Sequence, residues 1–369
     1  MSELPPVDVP GRARRLRDRF EDAGVDALLV TRLPNVRYLT GFTGSAGAVL
    51  VAPDQLVFVT DGRYGEQATE QLHAAGVDAR LEVRTTQAEQ RDALRVAAGG
   101  YRRIGLEAHG VTWAQQRDMA KDWFPAPDHE LVATEQLVEN LRRVKEPGEV
   151  ARIRAACAIA DDALATAVPQ LHDGVTEREF ALALEFEMRR SGASGVSFDA
   201  IVASGPNGAM PHARPSARPI GRGELVVLDF GCVVDGYCSD MTRTVSVGEP
   251  DEQARGIYEL VLHSQRAGRD AVRAGVECSA VDRASRAVIE DAGLGDAFSH
   301  GTGHGVGLEI HEAPRVAKTA RGTLTAGDVV TVEPGVYVPG VGGVRIEDTV
   351  LVTTAGADPL TAFPKDLVL

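Results

Sequence analysis

Asp229 and Asp240 flank a single turn in VVLDFGCVVDGYCSDMTRT, residues 226–244. Asp235-Gly236, set between two β-rich runs, is a strong signal for a two-residue hairpin. Counting outward from that turn, Val234 faces Tyr237, Gly231 faces Asp240 and Asp229 faces Thr242. Side chains alternate along a strand, so Asp229 and Gly231 share a face, and Asp240 lies on it diagonally from Asp229. Diagonal neighbours stand roughly 7–8 Å apart at Cα. Two carboxylates reaching toward each other over a glycine leave a gap of cation size. Without a cation the like charges would repel, and one would have to take up a proton. The plainer alternative is two solvated aspartates on an open sheet face; the apolar surroundings, LVVL before and CVV within, count against it.

Further carboxylates lie in apolar β-rich runs. VVTVEPGVYV (329–338) places Glu333 at the end of a strand, and GGVRIEDTVLV (342–352) places Glu347 inside another. Burying such a group is costly unless it is paired, hydrogen-bonded or bound to metal. Arg345 shares a face with Glu347 while Asp348 points away, so a structural Arg345–Glu347 salt bridge is the competing explanation. HGTGHGVGLEIHE (300–312) holds three histidines and four glycines. Glycine on each side of His304 lets the backbone pack closely and aim the imidazole at a fixed point. A lone histidine in a glycine-rich loop is more often structural than a ligand, so His304 gains meaning only in company. HEAPR lacks the second histidine of a zincin helix, and GxGxGxG is not the dinucleotide GxGxxG. No Walker A sequence or GxSxG elbow occurs. Asp229, Asp240, His304, Glu333 and Glu347 together form a hard, oxygen-rich donor set without thiolates, suited to two ions such as Mn²⁺ or Co²⁺ rather than one.

The elements that must position these residues fall into two blocks. Residues 1–140 alternate: a helix over Arg12 to Ala23, strands at 26–31, AGAVLVAP and LVFVTD (both within 46–61), RLEVR, RIGLE and ELVAT, and helices between them, an α/β domain with a mixed or mostly parallel sheet. LRRVKEPGEV (141–150) is a boundary, with Pro147 placed to begin a helix that runs to about Pro169. TEREFALALEFEMRRSG opens with a capping box, Thr176 and Glu179, and closes at Gly192. Strands then dominate, broken by helices at about 251–274 and 279–292, so residues 145–369 read as an α+β domain. The chain of 369 residues carries a net charge of −14, which argues against nucleic acid as a partner. No stretch approaches the roughly 18–20 apolar residues of a membrane span. Four cysteines without a CxxC pair make no disulfide framework. The expected compartment is the cytoplasm.

The second block resembles the pita-bread metallopeptidases, the superfamily of methionine aminopeptidases and Xaa-Pro peptidases. The resemblance is carried by LDFG, SDMTRT, GTGHGVG, VEPG and VRIED in that order. NVRYLTGFTGSAG (35–47) and TDGRY (60–64) resemble the N-terminal domain of creatinase, prolidase and aminopeptidase P, a domain that methionine aminopeptidases lack. The resemblance implies that Asp229 chelates one metal ion, that His304 and Glu333 bind the other, and that Asp240 and Glu347 bridge them. It implies two divalent ions, Mn²⁺ foremost with Co²⁺ or Zn²⁺ as alternatives, and a metal-activated water as nucleophile. Glu333 would also shuttle a proton, His212 would stabilise the oxyanion, His311 would bind substrate and Arg345 would act behind the ligands or on substrate. His300 would brace the site. The plain alternatives are a surface histidine for His212 and a hydrogen-bonded core histidine for His300. The implied reaction is removal of the residue preceding proline from a peptide by a homodimer. YLTGFTGSAG and TDGRY favour aminopeptidase P over the alternative, prolidase. A metal-free creatinase-type hydrolase or a non-catalytic peptide-binding module would be expected to have lost ligands.

Overall fold

The computed structural model describes residues 4–368 and forms two compact units, Val7–Arg142 and the chain from Arg143 onward together with residues 4–6. The first unit is built on a six-stranded mixed sheet in the order Arg80–Val83, Leu56–Thr60, Ala48–Val51, Ala27–Val30, Arg103–Glu107 and Glu130–Thr134. Three neighbouring pairs are parallel and two antiparallel. Ala27–Val30 is buried at every position, which is why its sequence is an unbroken apolar run. The helix expected over Arg12 to Ala23 is instead two, Val9–Arg17 and Phe20–Ala23. The first is anchored by Asp8, whose side chain accepts from the Gly11 amide, and the second ends at Gly24 with φ 67°. Apolar periodicity continues across the break, so the pattern alone runs the two together.

The second unit opens with helix Pro147–Ala167, proline in its first turn. Buried Ile153, Ala156, Ala160, Ala163 and Ala167 recur at helical spacing and form one stripe. Its four alanines pack into a core with Phe180, Leu184 and Met188 of helix Glu177–Arg190. The latter helix carries the expected capping box, Thr176 with Glu179. Helices Glu252–Ala271 and Cys278–Asp291 follow. Among the described residues no helix is long and apolar enough to cross a membrane.

Two sheets of this unit matter for the site. One has the order Met241–Ser246, Leu225–Phe230, Ile201–Ser204. The other has the order Glu312–Val316, Gly303–Gly305, Val329–Val332, Asp348–Val352, Ala357–Pro359. Cross-links stitch them together: the Glu347 amide donates to the Thr242 carbonyl at 3.1 Å, and Thr349 Oγ1 donates to the Asp240 carbonyl at 2.8 Å. GGVRIEDTVLV is not one strand. It divides into Gly342–Arg345, which pairs with Gly335–Val338, and Asp348–Val352 in the larger sheet, leaving Ile346 and Glu347 at the crossing.

Candidate metal centre

The hairpin has the expected register. Val234 pairs with Tyr237 and Thr242 with Asp229, and Asp235 and Gly236 have φ of 44° and 78°. Two consecutive positive φ values make the turn whose twist matches the flanking strands, and an Asp-Gly dipeptide supplies it at low cost. The ladder breaks between Phe230 and Cys232, and Asp240 occupies the matching break on the other side. Glu333 follows its strand directly, Glu347 lies between two, and Val332 pairs with Asp348. Continuing that ladder by one step sets Glu333 opposite Glu347. His304 comes from the neighbouring strand, where Gly305 pairs with Val330. Close approach explains its glycines: a Cβ on Gly303 would meet the Thr331 carbonyl at 2.0 Å, and one on Gly305 the Ala313 carbonyl at 2.2 Å.

These paths bring the expected side chains together. Single carboxylate oxygens of Asp229, Asp240 and Glu347 lie within 4.8 Å of one another. His304 Nε2 stands 3.3 Å from Glu333 Oε1 and 3.5 Å from Asp240 Oδ2. His304, Glu333, Asp240, Asp229 and Glu347 line the floor of a cleft of about 650 Å³. His212 and His311 also line it, both exposed, and His311 stacks edge-on to His304 with ring centroids 4.4 Å apart. The salt bridge expected as a competing explanation does not form. Arg345 instead reaches Asp229, Nη2 to Oδ2 at 2.5 Å, because the strand break turns it away from Glu347.

A model of metallopeptidase family M24 matches residues 151–354, the segment that supplies all of these side chains. The chain belongs to metallopeptidase family M24. A second model, the creatinase/prolidase N-terminal domain, matches residues 12–144. This metallopeptidase is similar to a solved Xaa-Pro dipeptidase from Bacillus anthracis, 40% identical with a TM-score of 0.93, over 98% of this chain and 100% of that one. It is 33% identical to the Xaa-Pro dipeptidase of Pyrococcus horikoshii over 97% of this chain and 98% of the relative. A solved X-Pro aminopeptidase from Thermotoga maritima is 33% identical, with a TM-score of 0.87, over 97% of this chain and 100% of that one. The second unit thus has the pita-bread fold behind a creatinase-type N-terminal domain.

Membership of the family implies divalent metal ions, and the residues of this metallopeptidase fit them. Asp229 Oδ1 and Glu347 Oε1 are buried and find no hydrogen-bond donor among the described residues. His304 Nδ1 is 3.1 Å from the Gly305 carbonyl, and a carbonyl only accepts, so Nδ1 carries the proton. With Nδ1 already a donor, Nε2 faces two carboxylates, a contact that requires a proton or a cation between them. Burial, and then the charge of Glu347, drives Asp240 far above the usual carboxylate range. Burial and Glu333 do the same to Glu347, and burial raises Asp229 against the pull of Arg345. Burial also opposes ionisation of Glu333, but the hydrogen bond and charge of His304 hold it to about 2. Burial disfavours protonated His304 too, and the same Glu333 contact outweighs it. The surplus of negative charge is what a pair of cations would neutralise.

The sequence reading missed the groups that hold these side chains. Thr242 Oγ1 donates to Glu347 Oε2 at 2.7 Å and accepts from Arg345 Nε at 3.2 Å. Thr331 Oγ1 donates to Glu333 Oε1 at 3.1 Å and accepts the His304 amide at 3.0 Å. Tyr337 Oη accepts from Arg345 Nη1 at 2.6 Å and lies 2.9 Å from His300 Nε2. His300 Nδ1 is 2.8 Å from the Gly301 carbonyl, so its Nε2 is the acceptor of the Tyr337 hydroxyl. His300 is thereby a brace to Arg345 and Asp229. Asp282 and Arg286 hold the loop from behind: Asp282 accepts from Thr302, and Arg286 donates to the carbonyls of Phe298 and His300. The one local signal was position: Thr242 and Thr331 each stand two residues from a candidate ligand and share its strand face.

Proposed function

We propose that the chain is a Xaa-Pro dipeptidase, which hydrolyses the bond before proline using two divalent ions, Mn²⁺ foremost. The convergence of Asp229, Asp240, His304, Glu333 and Glu347 on the floor of one cleft carries this reading. Their donor set is hard and oxygen-rich, which suits Mn²⁺ or Co²⁺. Asp229 would hold one ion, His304 and Glu333 the other, and Asp240 and Glu347 both. Asp240 is common to the carboxylate trio and to the His304 contact, which supports its shared role. Ions bound there would polarise the scissile carbonyl and lower the pKa of water toward about 7.

The chain's own groups do the rest. Glu333, oriented by Thr331, is the carboxylate placed to move a proton. His212 and His311 face the cleft from its rim, where they would hold the carbonyl oxygen and the substrate backbone. Burial and the neighbouring His304 lower the pKa of His311, which keeps it neutral and able to donate or accept. All three nitrogens of the Arg345 guanidinium are engaged, Nη1 also with the Pro211 carbonyl at 3.2 Å. This supports an orienting role for Arg345 over direct contact with substrate.

A Xaa-Pro bond offers no N–H, so the pocket must recognise other features. For a dipeptide these include the terminal carboxylate. Arg214 and Arg315 are exposed cations lining the cleft, suited to bind it. Relatives tip the choice the same way, since the Bacillus anthracis dipeptidase is more similar than the Thermotoga maritima aminopeptidase. This reverses the preference for aminopeptidase P that YLTGFTGSAG and TDGRY suggest. Those motifs lie in the N-terminal domain, which both enzyme types share. Comparing turnover of Ala-Pro with Ala-Pro-Ala tests the assignment. Cleavage of the dipeptide alone is expected; comparable cleavage of the tripeptide would make the enzyme an aminopeptidase.

A further inference from the structure

Glu177 is fully buried at the first position of helix Glu177–Arg190, outside the cleft, yet its carboxylate is the most densely bonded acidic group near the His212 loop. Oε1 accepts from the Ser204 amide at 2.8 Å, the Ser204 hydroxyl at 2.9 Å and Asn207 Nδ2 at 3.1 Å. Oε2 accepts from the Ser216 amide at 3.0 Å, the Ser216 hydroxyl at 2.6 Å and Asn207 Nδ2 at 3.0 Å. One carboxylate therefore closes the segment 204–216 at both ends. Burial alone would raise its pKa, but these donors outweigh that and pull it below the usual range, so Glu177 is ionised. The helix N-terminus favours the same charge.

The closed segment presents His212 to the cleft and gives the Pro211 carbonyl to Arg345. Its backbone is also pressed against a neighbouring strand: a Cβ on Gly343 would meet the Gly208 carbonyl at 2.0 Å. A loop pinned at base and crown holds its side chain in one place without occupying the cleft. We propose that Glu177 is a positioning residue, a buried clasp that sets His212 against the bound dipeptide. This rests on the reading of His212 as a substrate-binding group.

Glu177→Gln preserves shape but turns an amide NH₂ toward backbone and hydroxyl donors, which opens the clasp. The test is a double-mutant cycle with His212→Ala on the Mn²⁺-loaded enzyme and Ala-Pro, with metal content measured in parallel. Glu177→Gln is expected to lower kcat/KM roughly 10- to 100-fold at unchanged metal content, and to cost little more once His212 is gone. Equal losses in both backgrounds, or no loss, would overturn the clasp. If His212→Ala alone leaves kcat/KM unchanged, the reading of His212 fails and the proposal with it. Should Glu177→Gln not fold, Ser216→Ala removes one donor and keeps the backbone amide. It is expected to show the same dependence on His212 at smaller size, and its absence would equally defeat the clasp.

Discussion

Each unit of this protein buries a carboxylate-centred polar cluster, and the two are resolved in opposite ways. In the first unit Glu107 accepts from the Thr31 amide, the Arg32 amide and Asn35 Nδ2, and Arg142 donates to Asn35. Burial raises the pKa of Glu107, and its donors offset part of that cost. In the second unit four carboxylates share one arginine and one histidine, and two of their buried oxygens find no donor among the described residues. In the first cluster both oxygens of Glu107 are met by donors, and they hold a loop to a sheet. The second is an unfinished one, completed by something the polypeptide does not supply. Buried acid alone is therefore no sign of a metal; acid in excess of its donors is.

Asp240→Asn should have the largest effect and divides the two clusters most sharply. Removing a carboxylate proposed to serve both halves of the site is expected to abolish turnover of Ala-Pro. It should nevertheless stabilise the metal-stripped protein at pH 7, because a buried carboxyl with a raised pKa costs stability there that an amide does not. Thermal denaturation after chelation reads this out; a less stable variant would mean that the charge is not in surplus. Glu107→Ala should do the reverse, costing about 3 kcal/mol by stranding buried donors while metal stoichiometry stays unchanged. Thr242→Val removes the hydroxyl between Glu347 and Arg345, and is expected to weaken metal affinity about 10- to 100-fold in a competition titration with a chelator.

The smallest effect is a pH dependence. Asp229, Asp240, Glu347 and His304 all have folded pKa values above their ordinary ones, so the stripped protein binds protons that the unfolded chain does not. Its stability should fall as pH rises from roughly 6.5, the ordinary histidine value, upward. Below that window His300 and His311, whose pKa values are lowered, begin to oppose the trend. Melting temperatures of stripped protein across the window measure the slope; a rise with pH would contradict the surplus of charge.

Much of this site could be read from local rules. Asp235-Gly236 fixes a two-residue turn, and a fixed turn fixes every pair outward from it, so the approach of Asp229 and Asp240 follows by counting. Pro147 and the Thr176–Glu179 box mark helix starts because caps are local chemistry. Arg345 was not legible in this way. Its spacing suggests Glu347, but the strand breaks at Ile346 and delivers it to Asp229, 116 positions away in the chain. Tyr337, Thr242 and Thr331 look like ordinary strand residues, and only the assembled sheets turn their hydroxyls into supports. Substrate length was least legible, since the groups proposed to read it, Arg214 and Arg315, are joined by no spacing rule.

Calorimetric titration of chelator-stripped protein with Mn²⁺, followed by assay of Ala-Pro hydrolysis at each addition, tests the central claim most directly. Two ions bound per chain, with activity and melting temperature rising as the sites fill, is the predicted result. Full hydrolysis by the stripped protein before any ion is added would contradict it.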